Sequence, residues 1–240
     1  MKIQLFGRST EELKKLVVSL GFEIVYKNPD VIISYGGDGT LLSCEREFPE
    51  IPKLPLRQTK YCNKCSNHTD KIILEKLKTA QLKYKTHKKL TTNIYGKDLF
   101  ALNDFILRNE ELVHTIRFKI NNSDLIIGDG IVISTPFGST GYFKSISGKT
   151  FTDGFAVAFN NPTVKSNSIY VDQDEIDKLD DFTYIEFELK RGKAILGFDN
   201  SDETYKISEG TKLAFKLSNQ IAGIYSDTSL RCPDCKVIRG

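Results

Sequence analysis

The residues Gly36-Gly37-Asp38-Gly39-Thr40 follow the apolar run Val31–Ser34 and precede a stretch of helical character. Glycines let a backbone come close to a polyphosphate, and amides at the start of a helix favour negative charge. A carboxylate inside such a loop would repel phosphate unless a cation or a hydroxyl donor lay between them. Asp38 therefore points to a Mg²⁺-nucleotide or to a substrate hydroxyl awaiting deprotonation. A tight turn after a strand would account for the same glycines without any chemistry.

Two further stretches carry polar groups where a fold rarely wants them. The run Asp129-Gly130-Ile131-Val132-Ile133-Ser134-Thr135-Pro136-Phe137-Gly138-Ser139-Thr140-Gly141-Tyr142 reads as a strand entering Pro-x-Gly-Ser-Thr and then a helix. Hydroxyls and amides at that junction can bind a base edge or a phosphate, and Tyr142 can stack on a ring. N-capping by Ser139 or Thr140 is the structural alternative. In Leu99–Leu107, Asn103 and Asp104 interrupt an otherwise apolar strand. Neighbours on a strand point to opposite faces, so one of the pair lies on a face made for packing. That cost suggests a ligand, although a strand end or a bulge would also explain it.

The elements that must position these residues are of two kinds. Ile3–Phe6, Phe22–Val25 and Val31–Ser34 read as strands. Between the first two, Leu13, Leu16, Val17 and Leu20 recur at helical spacing, with Ser9-Thr10 before them, Glu11 and Glu12 in the first turn and Gly21 behind. The pattern after the glycine loop predicts a helix over Leu41–Glu47. Together these form an open α/β sheet with a glycine loop at the carboxyl end of a strand, where such sheets bind ligands. From about Leu82 the alternation changes to period two, in Leu99–Leu107, His114–Ile120, Tyr184–Leu189 and Lys212–Leu217, which predicts two packed β-sheets.

The fold class expected is thus an N-terminal open α/β, Rossmann-like domain and a C-terminal β-sandwich-like domain. Lys and Arg total 34 against 31 Asp and Glu in 240 residues, a formal charge of +3, too even a balance for a chain that coats a polyanion, so nucleic acid is not expected as a partner. The N-terminal apolar run breaks at Gly7-Arg8, and the most apolar stretch later on is cut by Gly128-Asp129-Gly130. No membrane span is expected, and the chain is expected to be cytoplasmic.

Four of the five cysteines form two CxxC pairs, Cys62-Cys65 and Cys232-Cys235, with Cys44 alone. That spacing suits a tetrahedral metal better than a disulfide framework, and it suggests a structural Zn²⁺ that would tie down the polar segment Gln58–Asp70. Four reduced thiols are the alternative. His68, His87 and His114 show no metal or triad spacing, though His68 could compete for the zinc. Lys83, Lys85, Lys88 and Lys89 read as a solvated face.

Taken together, GGDGT in the α/β half, Leu102-Asn103-Asp104 at the start of the β half and DGIVISTPFGSTGY resemble the NAD kinase family. The resemblance is strongest over Val31–Leu42 and Phe100–Gly148. It implies domains at 1–81 and 82–222, with a tail, 223–240, returning to the first. It implies Asp38 as general base for the 2′-hydroxyl of the adenosine ribose of NAD, with Gly36, Gly37, Gly39 and Thr40 holding phosphates. Asn103 and Asp104 would hold the nicotinamide-side ribose, and Asp129 would contact the nicotinamide end. Thr140, Gly141, Tyr142 and Ser145 would bind the adenine. Asp199 would be a further substrate- or nucleotide-binding residue, aligned with an aspartate near the end of the family's second domain, but Asn200-Ser201 follow it where Gly-Gln is usual.

The same resemblance implies Mg²⁺ with ATP, or polyphosphate, as donor, and a homodimer or homotetramer in which a neighbouring chain completes the pocket. Two departures bear on substrate preference. The family's Asn-x-Gly-x-Leu-Gly-Phe segment is replaced by the residues from Arg57 to Cys65, and Ile126-Ile127-Gly128 lack the basic residue often found before the aspartate. Lipid kinases of the diacylglycerol and sphingosine type share a GGDGT loop but lack the GSTGY stretch with the Asn-Asp pair. A dinucleotide-binding protein without turnover is the non-enzymatic alternative.

Overall fold

The computed structural model describes residues 1–56, 69–163, 168–171 and 183–226, the last but one of these for its backbone only. Cys62, Cys65, Cys232, Cys235 and His68 lie outside the described residues. The described residues divide into two compact units, one made of those up to His87 together with Ile221–Ser226, the other of those from Lys88 to Gln220.

In the first unit β1 (Lys2–Gly7), α1 (Glu11–Ser19), β2 (Glu23–Ile24), β3 (Val31–Tyr35), α2 (Asp38–Glu47), β4 (Lys53–Leu56) and α3 (Asp70–Lys78) follow one another. The strands lie in the order β2-β1-β3-β4, all parallel. Crossover helices are what parallel neighbours require. Leu13 and Val17, one turn apart on α1, and Ile73, Leu74 and Leu77 on α3 are buried with Ile3, Val31, Ile33, Leu54 and Leu56 of the strands. Thr69 caps α3 by accepting a 3.4 Å bond from the Ile72 amide. From the last turn of α3, Lys78 donates to the carbonyl of Leu20, the C-cap of α1. That places a cation where the helix dipole is negative.

The second unit is built from β5 (Lys83–Ile94), β6 (Lys97–Ala101), β7 (Asp104–Asn109), β8 (Ile116–Ile120), β9 (Ile126–Gly128), β10 (Gly130–Ser134), α4 (Tyr142–Ser147), β11 (Phe155–Asn160), β12 (Ser168–Val171), β13 (Ile185–Arg191), β14 (Ala194–Phe198), β15 (Tyr205–Ile207) and β16 (Lys212–Ser226). One antiparallel sheet runs β12-β11-β10-β7-β14-β15, and β16, β13, β8 and β9 pair in that order in another, with β5 and β6 as a hairpin. The first residues of β5, up to His87, and the final residues of β16 belong to the first unit, where Ile224 lies parallel to Lys53 of β4.

Period two decides which side chains fill the sandwich. Ile131, Ile133, Phe155, Val157 and Phe159 join Phe105, Phe118, Phe187 and Phe215 in the main core. The Phe105 and Phe215 rings lie 5.3 Å apart, and Phe118 and Phe187 stack at 5.4 Å. Each such ring, fully buried, contributes on the order of 1.5–3 kcal/mol. The intervening Val132, Ala156 and Ala158 face the other way and form a smaller cluster with Phe143 of α4. Alanines there let the helix approach, so all five residues of β10 are buried. A parallel α/β unit and an antiparallel sandwich are the fold class expected from the sequence.

Candidate functional site

Each unit carries a cluster of the candidate residues. In the first, β3 ends at Tyr35, and Gly36 and Gly37 lead directly into α2, which begins at Asp38 rather than at Leu41. Gly37 is the N-cap residue, in extended conformation, and its carbonyl accepts from the amides of Thr40 and Leu41. A side chain at Gly36 would place its Cβ 2.2 Å from the Thr40 hydroxyl, so residue 36 must be glycine for that hydroxyl to stand where it does. Asp38 and Gly39 are exposed at the first turn of a ten-residue helix, the end at which the helix dipole favours an anion. Beside the loop, the Tyr35 phenol is raised above its ordinary pKa, mainly by burial and then by Asp70 and Glu12.

The other end of α2 is anchored in the core. Lys53 is completely buried, and its ammonium contacts the Glu45 carboxylate and the carbonyl of Phe48, the C-cap of the helix. Cys44 of the same helix is buried too, and burial pushes its thiol up to about 12, so it stays protonated and inert.

In the second unit the expected strand Leu99–Leu107 is broken into β6 and β7, and Leu102 and Asn103 form the corner between them. Two elements hold this corner. From the end of β10, the Thr135 hydroxyl donates to the Leu102 carbonyl at 2.6 Å, and the Thr135 amide donates to the Asn103 carbonyl at 2.9 Å. A Cβ on Gly138 would lie 2.4 Å from that carbonyl oxygen, so glycine is required there too. From the end of β14, the Asp199 carboxylate accepts from the amides of Leu102, Asn103 and Asp104 at 3.0, 2.7 and 3.2 Å. The Asp199 amide returns a bond to the Asp104 carbonyl at 2.9 Å.

What the corner presents is polar and unsatisfied. The side-chain oxygen of Asn103 is buried and has no hydrogen-bond partner among the described residues. Asp104 is 5% exposed, and its carboxyl is pushed up to about 7, first by burial and then by the charge of Asp199. A buried polar atom without a partner costs about 1–3 kcal/mol, a cost that a ligand would remove.

The remaining candidates surround α4 and the start of β10. A 3₁₀ turn over Gly138–Thr140 leads through Gly141 into Tyr142. The Tyr142 hydroxyl accepts from the Arg108 guanidinium of β7 at 3.3 Å, and the Ser145 hydroxyl donates to the Tyr142 carbonyl at 2.7 Å. The Ser139 hydroxyl, 1% exposed, lies within hydrogen-bond distance of the Pro136 and Phe151 carbonyls, to either of which its one proton can be donated, and is a structural hydroxyl. Asp129 accepts from the Asn161 side chain at 3.3 Å, while Gly130, at φ +141°, passes so close to β7 that its Cβ would lie 1.9 Å from the Leu107 carbonyl oxygen. Thr135, Gly138, Arg108 and Asn161 are thus parts of the site that residue type alone does not single out. The one sequence signal for the first two is their place inside the Ser-Thr-Pro-Phe-Gly run.

No protein-family model matches the chain. Curated relatives do: NAD kinase 2 of Listeria monocytogenes is 35% identical over 158 residues, covering 58% of this chain and 56% of that protein. NAD kinase 1 of Halalkalibacterium halodurans is 27% identical over 156 residues, covering 58% and 57%. The chain thus spans little more than half the length of the curated relatives it matches. Among solved structures, an NAD kinase from Archaeoglobus fulgidus in complex with ATP superposes with a TM-score of 0.73 at 17% identity, covering 96% of this chain and 95% of that one. Yeast NADH kinase complexed with NADH gives a TM-score of 0.76 at 13% identity, covering 95% and 84%. The chain is similar in sequence to NAD kinases over that stretch and has their fold.

Proposed function

We propose that this chain is an NAD kinase that transfers a phosphoryl group from ATP or polyphosphate to the 2′-hydroxyl of the adenosine ribose of NAD, giving NADP. The observation that carries this reading is the corner at Asn103 and Asp104, with an orphaned buried acceptor beside a buried carboxyl. Lipid kinases with a GGDGT loop lack that pair, and a hydroxyl-rich sugar is what such a corner suits. Phosphoryl transfer asks for in-line placement and charge neutralisation more than for covalent chemistry.

Asp38 is the general base, and Gly36, Gly37, Gly39 and Thr40 cradle the donor's phosphates. Asn103 and Asp104 take the nicotinamide-side ribose, Asp129 the nicotinamide end, and Thr140, Gly141, Tyr142 and Ser145 the adenine. Mg²⁺ supplies charge neutralisation at the phosphates. Among the described residues no group of three or more His, Cys, Asp or Glu could hold a metal alone. Mg²⁺ in phosphoryl-transfer sites is commonly held largely by the substrate's own phosphates and by water, which leaves the Asp38 carboxylate to act as base. The oligomer reading is a homodimer or homotetramer. Zinc on Cys62, Cys65, Cys232 and Cys235 rests on their spacing, and metal analysis of protein purified without chelator tests it.

Incubation with NAD, Mg²⁺ and either ATP or polyphosphate, followed by detection of NADP with an NADP-specific dehydrogenase, tests the reading and names the donor. Product with either donor supports it. Bound NAD with no product under both donors would favour a dinucleotide-binding protein without turnover.

A further inference from the structure

We infer that Asp199 is a positioning residue of the ribose site: it fixes the backbone from which Asn103 and Asp104 project and, through its charge, keeps Asp104 able to donate a hydrogen bond. This rests on the NAD kinase reading for the identity of the ligand, but the geometry is independent of it.

Three consecutive amides converging on one carboxylate make an anion nest, and here the anion is a side chain of the protein itself. Asp199 stands at φ +48°, a left-handed conformation that aspartate tolerates better than most residues. Its own amide closes the ring onto the Asp104 carbonyl. The carboxylate is therefore spent on the backbone of Leu102–Asp104 and is not the group that meets a substrate.

The second effect is electrostatic. On β10, the residue opposite Asp104 is Ser134, which carries no charge. On β14, Phe198 lies opposite Phe105, and Asp199 follows it. Among the described residues Asp199 is the charged group that acts on Asp104, and together with burial it brings that carboxyl to about 7. Near neutrality Asp104 is then half protonated. A protonated carboxyl offers an O–H donor, and the Asn103 oxygen offers an acceptor. Each ribose hydroxyl is both donor and acceptor, so the pair is matched to the vicinal diol of a ribose.

Sign follows from the state that binds. The protonated form is the competent one, so NAD affinity is full below about 7 and is lost as pH rises, the dissociation constant growing about ten-fold between pH 6 and pH 8 for a one-proton linkage. Asp199→Asn keeps an oxygen that can accept from the amides but removes the charge, so the loss begins at lower pH. Asp199→Ala removes the acceptor as well, and weakens NAD binding at every pH by about ten-fold or more while ATP binding through the other unit's loop is unchanged.

The test is the pH dependence of NAD binding by calorimetry, with the Asp104 carboxyl followed by ¹³C NMR in the ligand-free wild type and Asp199→Asn. A lower titration midpoint in the variant, matched by an earlier loss of NAD affinity, is the expected result. Equal midpoints in two folded proteins, or wild-type NAD affinity that does not change with pH, overturn the inference even though NAD binds. A wild type that binds no NAD at any pH overturns the NAD kinase reading, and with it the proposed ligand. Should Asp199→Ala not fold, Asp199→Asn alone decides.

Discussion

Replacing Lys53 by methionine removes a fully buried ammonium from the Glu45 carboxylate, which is itself 2% exposed, and from the carbonyl that ends α2. Methionine fills most of the volume, so the cost is electrostatic rather than a cavity. Breaking a buried ion pair by taking away one partner typically costs about 3–5 kcal/mol, because the remaining charge stays in a medium that solvates it poorly. Replacing both members by apolar groups, as in Glu45→Leu with Lys53→Met, is often neutral or stabilising. The double variant is therefore expected close to wild type, with a coupling of about 3 kcal/mol or more. Urea unfolding followed by far-UV circular dichroism measures all four proteins, and hydrogen exchange in α2 shows whether the loss is local. A single-variant cost below about 1 kcal/mol, or a double variant as unstable as the single, would refute the idea that the pair fixes the helix that carries Asp38.

Asp38→Asn is expected to keep NAD binding and to lose about 10²–10⁴ in kcat, the usual contribution of a general base, as steady-state kinetics would show; equal turnover would remove Asp38 from that role. Asp104→Asn should stabilise the protein in a pH-dependent way. The folded carboxyl holds its proton up to about 7, against 3.8 for the free group. Stability therefore falls as pH rises from about 4 through 7, by an amount on the order of 4 kcal/mol at 1.36 kcal/mol per pH unit. The asparagine variant's advantage should grow over that window and vanish below it, as read by denaturant midpoints at pH 4 and pH 8. Gly138→Ala forces a methyl onto the Asn103 backbone and should cost about 1–3 kcal/mol, with a rise in KM for NAD larger than that for ATP.

Much of this arrangement is legible in the sequence because it depends on local rules. Three glycines and an aspartate after the buried run of β3 locate a loop at a strand's carboxyl end, and period-two alternation marks the sandwich. Asn103 and Asp104 stand out because a strand that otherwise packs should not carry them, and the structure shows a break in the strand there. What is not legible depends on partners remote in sequence. The bonds that Asp199 makes with Leu102–Asp104 span more than ninety residues, and no spacing rule links them. Lys53 looks like a solvent-facing residue of a short apolar strand until Glu45 is seen on α2. The helix Asp70–Lys78 has a cap and three buried leucines and isoleucines, yet it follows a polar cysteine-bearing segment that reads as loop and hides its start. α2 begins three residues earlier than its apolar pattern suggests, because Gly37 in extended conformation ends the loop at once and brings Asp38 into the first turn.

The most direct measurement follows labelled phosphate from the γ-position of ATP, in the presence of Mg²⁺, to NAD in a single turnover, with the position of the label in the product determined by NMR. Label is expected on the 2′-oxygen of the adenosine ribose, with its loss in Asp38→Asn. Label on any other hydroxyl, or bound NAD that receives none while a lipid acceptor does, would contradict it.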